Sequence, residues 1–336
     1  MLRPGPRNLI TDVDGILVGN AEDARARTGV TVVLPEPAAL AAVDVRGGGP
    51  GTRETDALQP SSLVEGVDAI VLSGGSVFGL DAASGVVSWL AGLGRGFPVG
   101  AFHVPIVPAA ILFDLENGGD KAWGREPPYR NLGAAAAAAA TRDFKIGNAG
   151  AGLGARAGRI KGGLGSVSIV SDEGWQVGAI VAANPVGSPV IPGTTTLWGY
   201  AFEQQGELGG QRPPLEPLAD LDLPPEGRLG THTCVGVVAT NLKLDKAQAL
   251  RVAIMAHDGL ARAVRPVHTP FDGDTLFVLS TGRMPLPAPP ARALARLGHL
   301  AADCVTRALA RGVYAADSLG DAPSYRSLLA GGSADG

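Results

Sequence analysis

The sequence predicts a layered α/β sandwich ahead of a doubly wound sheet. Short apolar runs rich in β-branched residues end at Gly or Pro, as strands do. Stretches of helical period alternate with them in irregular order. Several strand-like runs are near neighbours, as in hairpins, instead of each leading into a crossover helix. All 336 residues read as one domain.

The elements follow in order. GVTVVLP (29–35) and DAIVLSGG (68–75) read as strands. FGLDAASGVVSWLAGLG (78–94) places Leu80, Ala83, Val87 and Leu90 at helical spacing, with glycine near its end. LGAAAAAAATRDF (132–144) reads as a helix because alanine is the strongest helix former. SVSIV (166–170), WQVGAIVAAN (175–184) and TLFVLST (275–281) form a second strand set. LDKAQALRVAIMAHDGLARAV (244–264) runs amphipathically, with Ala247, Leu250, Ile254 and Leu260 on one broad face. ARALARLGHLAADCVTRALARGV (291–313) is a similar helix. Residues 202–230 are polar and rich in Pro and Gly, which predicts an accessible, poorly ordered surface segment.

Composition narrows the function. A hydrophobic share of 45% and a charged share of 18% suit a globular core. The net charge of -4, with no Lys/Arg cluster, argues against a nucleic-acid partner. No apolar run is long enough to span a bilayer, and the start has no signal-peptide pattern. Cys234 and Cys304 are the only cysteines and read as free thiols, so a cytoplasmic protein is expected. The 49 glycines gather in RGGGPG (46–51), LSGGSVFG (72–79), GNAGAGLGARAG (147–158) and KGGLGS (161–166), which suggests tight turns around a shared site.

The feature that points to chemistry is GTHTCVGVVATN (230–241), a polar, glycine-flanked THT leading into a strand-like run. A hydroxyl at the start of a buried strand, just after a polar linker, is where a self-inflicted cut can be placed. Thr233 Oγ would attack the His232 carbonyl, and hydrolysis of the resulting ester would leave Thr233 as a new N-terminus. Its α-amine, with a reference pKa of ~7.7–8.0, could then take the proton of its own hydroxyl. On the residues alone, a threonine at a strand edge is the competing reading.

GTHTCVGVVATN, together with AIMAHDGLARAVRPVHTPFDGDTLFVLSTG (253–282), resembles the L-aminopeptidase/D-esterase family, which includes β-aminopeptidases and nylon-oligomer hydrolases. ITDVDGILVGNAED (10–23), RTGVTVVL (27–34), VRGGGPGTRETD (45–56), LSGGSVFGLDAA (72–83), GNAGAGLGARAGRIKGGLGS (147–166) and VAAN (181–184) extend the resemblance nearly end to end. It implies an α-β-β-α sandwich of N-terminal-nucleophile type, cut between His232 and Thr233 into fragments 1–232 and 233–336. It also implies a homo-oligomer, a tetramer of processed pairs, acting on small peptides or amides without metal or organic cofactor. The family nucleophile falls on Thr233 and the site asparagine on Asn184, whose carboxamide would hold the oxyanion. Asp272 and Asp274 match the acidic pair, which would hold the new ammonium, and Lys161 matches the site lysine. Tyr129 matches a site tyrosine, and Ser76 would lie close to the ligand. His232 departs from the pattern, standing where relatives often carry Asn.

Other readings stay open beside this one. Cys234 could be the nucleophile, although alignment to VVAT selects Thr233 and strand alternation turns Cys234 to the opposite face. An acyltransferase of the ornithine acetyltransferase type would pass the acyl group to an amine, and an unprocessed relative could serve as an oligomeric binding module. LSGGSVFG lacks the Lys-Ser/Thr ending of a P-loop. His257 and His268 lack the spacing of a compact zinc motif and read as hydrogen-bonded histidines pinning a helix end and a turn. Arg53 reads as part of a salt-bridged turn, with a substrate carboxylate as its alternative partner.

Overall fold

The computed structural model describes residues 1–215, 218 and 232–331. The fold is mixed α/β, built on two large sheets. The seven-stranded sheet runs in the order Leu2–Arg3, Gly163–Ser171, Gln176–Ala183, Val235–Lys243, Thr275–Pro285, Ala39–Val45 and Gly66–Val67. The five-stranded sheet runs Ile16–Asp23, Thr28–Pro35, Ile70–Ser73, Ala109–Ile111 and Thr52–Arg53. Each sheet holds one parallel pair: Val235–Lys243 beside Thr275–Pro285 in the first, Ile70–Ser73 beside Ala109–Ile111 in the second.

Alternation along the strands sorts the core into three clusters. Val235, Val237, Ala239, Phe277 and Leu279 of the larger sheet pack with Ile16, Val18, Ile70 and Leu72 of the smaller. The alternate residues Val238 and Val278 pack with helices α3 (Lys246–Ala263) and α4 (Pro290–Ala315). Val30, Val32 and Val71 of the smaller sheet pack with α1 (Ala82–Gly92) and α2 (Tyr129–Ala138). A short α5 (Tyr325–Gly331) closes the described chain. None of the helices, among the described residues, is long and apolar enough to cross a membrane.

Three expectations need correction. The buried face of α3 is Ala249, Val252, Ala253, Ala256, Leu260 and Ala263, whereas Ala247 is exposed and Leu250 and Ile254 are half-buried. The close helix–helix contact is made by small residues, which a search for large apolar side chains passes over. The helix drawn at 132–144 begins at Tyr129 and ends at Ala138.

The first part of the 202–230 segment is pinned to the core. Glu203 accepts the Leu208, Gly210 and Gln211 amides, Leu208 is fully buried, and Glu207 pairs with buried Arg307 through bonds of 2.6 and 2.9 Å. Two carboxylates organise a stretch whose composition looks loose. Residues 216–217 and 219–231 of that segment lie outside the described residues.

Helices α1 and α2 meet at Gly85 and Gly133: a β-carbon on Gly85 would overlap the Arg130 carbonyl, and one on Gly133 the Ala82 carbonyl. At Gly92, on the same α1, a β-carbon meets nothing. Gly85→Ala should therefore cost about 1–3 kcal/mol in denaturant unfolding. Gly92→Ala should be neutral or stabilising by up to about 1 kcal/mol. Equal effects at the two positions would contradict this account of the crossing.

Candidate active site

The site is a consequence of strand register. Val235–Lys243 runs antiparallel to Gln176–Ala183, with Val235 opposite Ala182. One further step of that register puts Asn184 opposite Thr233, and the Thr233 amide donates to the Asn184 carbonyl at 2.7 Å. On its other side the same strand runs parallel to Thr275–Pro285, with Val235 opposite Thr275. Continued backwards, that register sets Asp274, Gly273 and Asp272 beside Cys234, Thr233 and His232, and His232 and Asp272 form a parallel bridge.

The bonds follow from this placement. Gly273 N–H donates to the His232 carbonyl at 3.1 Å, and Thr233 Oγ1 hydrogen-bonds to the same carbonyl. The Cys234 amide donates to Asp274 Oδ1 at 2.8 Å, and the Thr275 amide to the Cys234 carbonyl at 3.0 Å. Glycine is required between the two acids, because a β-carbon on Gly273 would lie 2.8 Å from Thr233 Oγ1 and 2.7 Å from the Gly49 carbonyl. The RGGGPG stretch wraps this turn: the Gly49 amide donates to the Asp272 carbonyl at 2.8 Å and the Arg46 amide to the Asp274 carbonyl at 2.9 Å.

Both acids of the turn are buried and fully engaged. Asp272 accepts from the Val186 amide at 3.1 Å, the Thr269 amide at 2.9 Å and the Thr269 hydroxyl at 2.6 Å. Burial, and then the neighbouring Asp274, push the Asp272 carboxyl above the usual carboxylate range, against the pull of those donors. Asp274 accepts from Cys234 and, through Oδ2, from the amide and ring Nδ1 of His268 at 3.1 and 2.7 Å.

Cys234 is fully buried in the cluster shared with α3 and α4, the face opposite to Val235. Burial first, then Asp274 and Asp272, push its thiol well above the ordinary value, so it is not a ready thiolate. Two-residue alternation puts the Thr233 side chain on the face of Val235, between the sheets. Burial also lowers the pKa of His232, whose buried Nδ1 has no hydrogen-bond partner among the described residues.

Asn184 links this group to a second one. Its Oδ1 accepts the Arg156 amide at 2.8 Å, and its Nδ2 donates to the Phe113 carbonyl at 3.2 Å. Next to Phe113, buried Asp114 accepts from the Gly75 amide at 2.8 Å and Thr28 Oγ1 at 2.6 Å, and burial raises its pKa. Tyr129, fully buried, reaches Thr28 Oγ1 at 3.3 Å. Ser76, held at φ +53°, gives its amide to the Leu112 carbonyl at 3.0 Å. Tyr129 and Ser76 thus gather around Asp114, which the sequence reading did not single out; an acid next to the apolar run AAILF was its one signal.

Lys161 pairs across a short hairpin with Arg156, whose amide donates to Asn184 Oδ1. Its Nζ donates to the Gly152 and Gly162 carbonyls at 2.8 and 2.9 Å. Burial, which outweighs the attraction of Asp114, pushes the Lys161 ammonium down to about 7. Arg53 donates to Ser84 Oγ at 2.6 Å and the Leu80 carbonyl at 3.5 Å; among the described residues it forms no ion pair, so the salt bridge expected of this turn is not found at Arg53. Among the described residues no group of three or more His, Cys, Asp or Glu side chains could hold a metal ion.

Comparison with known proteins decides the family. Residues 8–324 match the profile of peptidase family S58. The chain belongs to peptidase family S58. It is 43% identical over 345 residues to an uncharacterized aminopeptidase of Mycobacterium tuberculosis, covering 96% of this chain and 98% of that protein. It is 30% identical over 307 residues to a 6-aminohexanoate-oligomer endohydrolase of Kocuria sp., covering 87% and 80%. Among solved structures it is similar to a Burkholderia sp. β-aminopeptidase, with TM-score 0.69, 25% identity and coverage of 94% and 89%. It also shares the fold of an L-aminopeptidase D-Ala-esterase/amidase from Ochrobactrum anthropi, a variant of the Ntn hydrolase fold, with TM-score 0.68, 22% identity and coverage of 93% and 87%. As a member of peptidase family S58 the chain is a hydrolase of amide bonds.

The Lys161 ammonium makes a prediction about stability. Its folded pKa lies below its unfolded value, so between about pH 7 and 10 the unfolded chain binds more protons. That term therefore raises stability as pH rises through this window. The stability of the native chain minus that of Lys161→Met, measured by denaturant unfolding, should increase from about pH 7 to pH 10. A difference that stays flat or falls would show that Lys161 is not held neutral by burial.

Proposed function

We propose that Thr233 cuts the chain at its own amino side and then serves as the N-terminal nucleophile of the peptidase. The observation that carries this reading is the double hold on the His232 carbonyl, with Thr233 Oγ1 on one side and the Gly273 amide donating at 3.1 Å. A hydroxyl in contact with the carbonyl it must attack needs little reorientation, and an amide aimed at the same oxygen stabilises the charge that develops there.

In the uncut chain, Thr233 Oγ adds to the His232 carbonyl carbon and loses its proton to a base. The neutral imidazole of His232, its Nδ1 unpartnered among the described residues, is the base at hand. The carbon–nitrogen bond then breaks, the nitrogen takes up a proton, and the His232 acyl group sits as an ester on Oγ. Water hydrolyses the ester and leaves fragments 1–232 and 233–336. Thr233 is only 3% exposed in the uncut chain, so substrate access follows the cut.

In the cut enzyme the Thr233 amine stays where its amide was, beside the Asn184 carbonyl and the Asp272–Asp274 turn. It takes the hydroxyl proton as Oγ attacks a substrate amide. Asn184, oriented by the Arg156 amide, offers a carboxamide donor to the oxyanion. The leaving amine departs protonated, and water releases the acyl group. Lys161 acts through its hairpin partner Arg156, whose amide holds Asn184, and Tyr129 and Ser76 shape the Asp114 side of the site. The layering we infer is α-β-β-α, with assembly into a homo-oligomer of processed pairs. Small peptides and ω- or β-amino-acid amides are the substrate class, supported by the activities named for the Kocuria and Burkholderia relatives.

Thr233→Ala should remain a single chain on denaturing mass spectrometry and show no turnover; two fragments from that variant would remove Thr233 from its role. Asn184→Ala should lower kcat by about 100-fold, the usual effect of losing one oxyanion donor. An unchanged kcat would take the carboxamide out of the reaction.

A further inference from the structure

We infer that His268 is a positioning residue for Thr233, acting through Asp274: its imidazole holds the carboxylate that fixes the Cys234 amide, and links that carboxylate to solvent. The inference rests on the reading of Thr233 as nucleophile.

Among the described residues Asp274 has three donors, namely the Cys234 amide, the His268 amide and His268 Nδ1. A carboxylate only accepts, so at 2.7 Å Nδ1 carries the proton. The His268 side chain is 22% exposed while Asp274 is 1% exposed. The ring is thus the buried acid's contact with water.

His268 stands at φ +55°, a left-handed conformation that glycine adopts freely and that asparagine, aspartate and histidine visit more readily than other residues.

His257 faces this ring, with Asp44 and Arg46 behind it. His257 packs edge-on against it with ring centres 4.9 Å apart, and burial pushes His257 down to about 4, so it stays uncharged. His257 Nε2 lies 3.0 Å from the Asp44 carbonyl, and Asp44 pairs with Arg46 at 2.5 Å. Beyond Asp274 stand Asp272, with its own three donors, and the Cys234 thiol, which burial keeps protonated. Loss of the ring lets Asp274 turn away from the Cys234 amide, one residue from the nucleophile.

The test uses the full chain with His268→Gly and His268→Asn. Glycine keeps the left-handed backbone and the amide donor but removes the ring. Asparagine keeps a side-chain donor that does not titrate. Cutting is followed by intact mass, and kcat and KM on an aminoacyl p-nitroanilide are measured from about pH 5 to pH 9.

For His268→Gly, kcat should fall about 10- to 100-fold, or cutting should slow by as much, with KM unchanged. His268→Asn, which keeps a side-chain donor for Asp274, should restore most of kcat. A glycine variant that cuts and turns over like the wild type, with the same pH profile, overturns the inference while leaving Thr233 in place. An active wild-type chain that is never cut overturns the Thr233 reading and this inference with it.

Discussion

Two backbone hydrogen bonds, one on each side of the His232–Thr233 peptide, fix everything else in this site. Asn184 accepts the Thr233 amide at 2.7 Å, and Gly273 donates to the His232 carbonyl at 3.1 Å. Both continue the ladders of a strand held between an antiparallel and a parallel neighbour, and a strand buried in this way has little freedom of register. A shift of one residue would turn Thr233 toward α3 and α4 and bring Cys234 between the sheets. The register therefore selects which hydroxyl or thiol meets the acids and the asparagine.

The same burial sets the electrostatics. Two carboxylates sit side by side with three donors each, which is how a protein keeps such a pair inside at tolerable cost. Among the described residues Lys161 donates to two carbonyls and pairs with no carboxylate, and burial lowers its ammonium accordingly. Cys234 is pushed in the opposite direction, away from thiolate, by burial and by Asp274 and Asp272. The proposed choice of nucleophile and these pKa shifts thus have one origin, the placement of the Val235–Lys243 strand.

How much of this was legible in the sequence depended on the kind of signal. Strands rich in β-branched residues, such as Thr28–Pro35 and Gln176–Ala183, were read directly. Ala39–Val45 was missed because alanine carries little strand preference, and pairing with Thr275–Pro285 decides its state. The pinned stretch 203–211 was misread because Glu203 and Glu207 look like surface acids until their partners are known. At the site, Thr233 was suggested by its position ahead of a strand. Asn184, Lys161 and the acid pair came from the family resemblance, since no local spacing relates residues that meet only across the sheet. Asp114 and the donor role of Gly273 escaped both routes. The glycine between two acids in FDGD was the visible trace of a backbone that must approach Thr233 closely.

The central claim is that a new amino terminus at Thr233 belongs to the active species. Its most direct test is to label the free amines of freshly purified, active protein, separate the chains under denaturing conditions and sequence the labelled termini. The account predicts a labelled Thr233 beginning a chain that ends with the native C-terminus, in amount matching the active-site content. Full activity in a preparation whose only labelled terminus is that of the intact chain would contradict it.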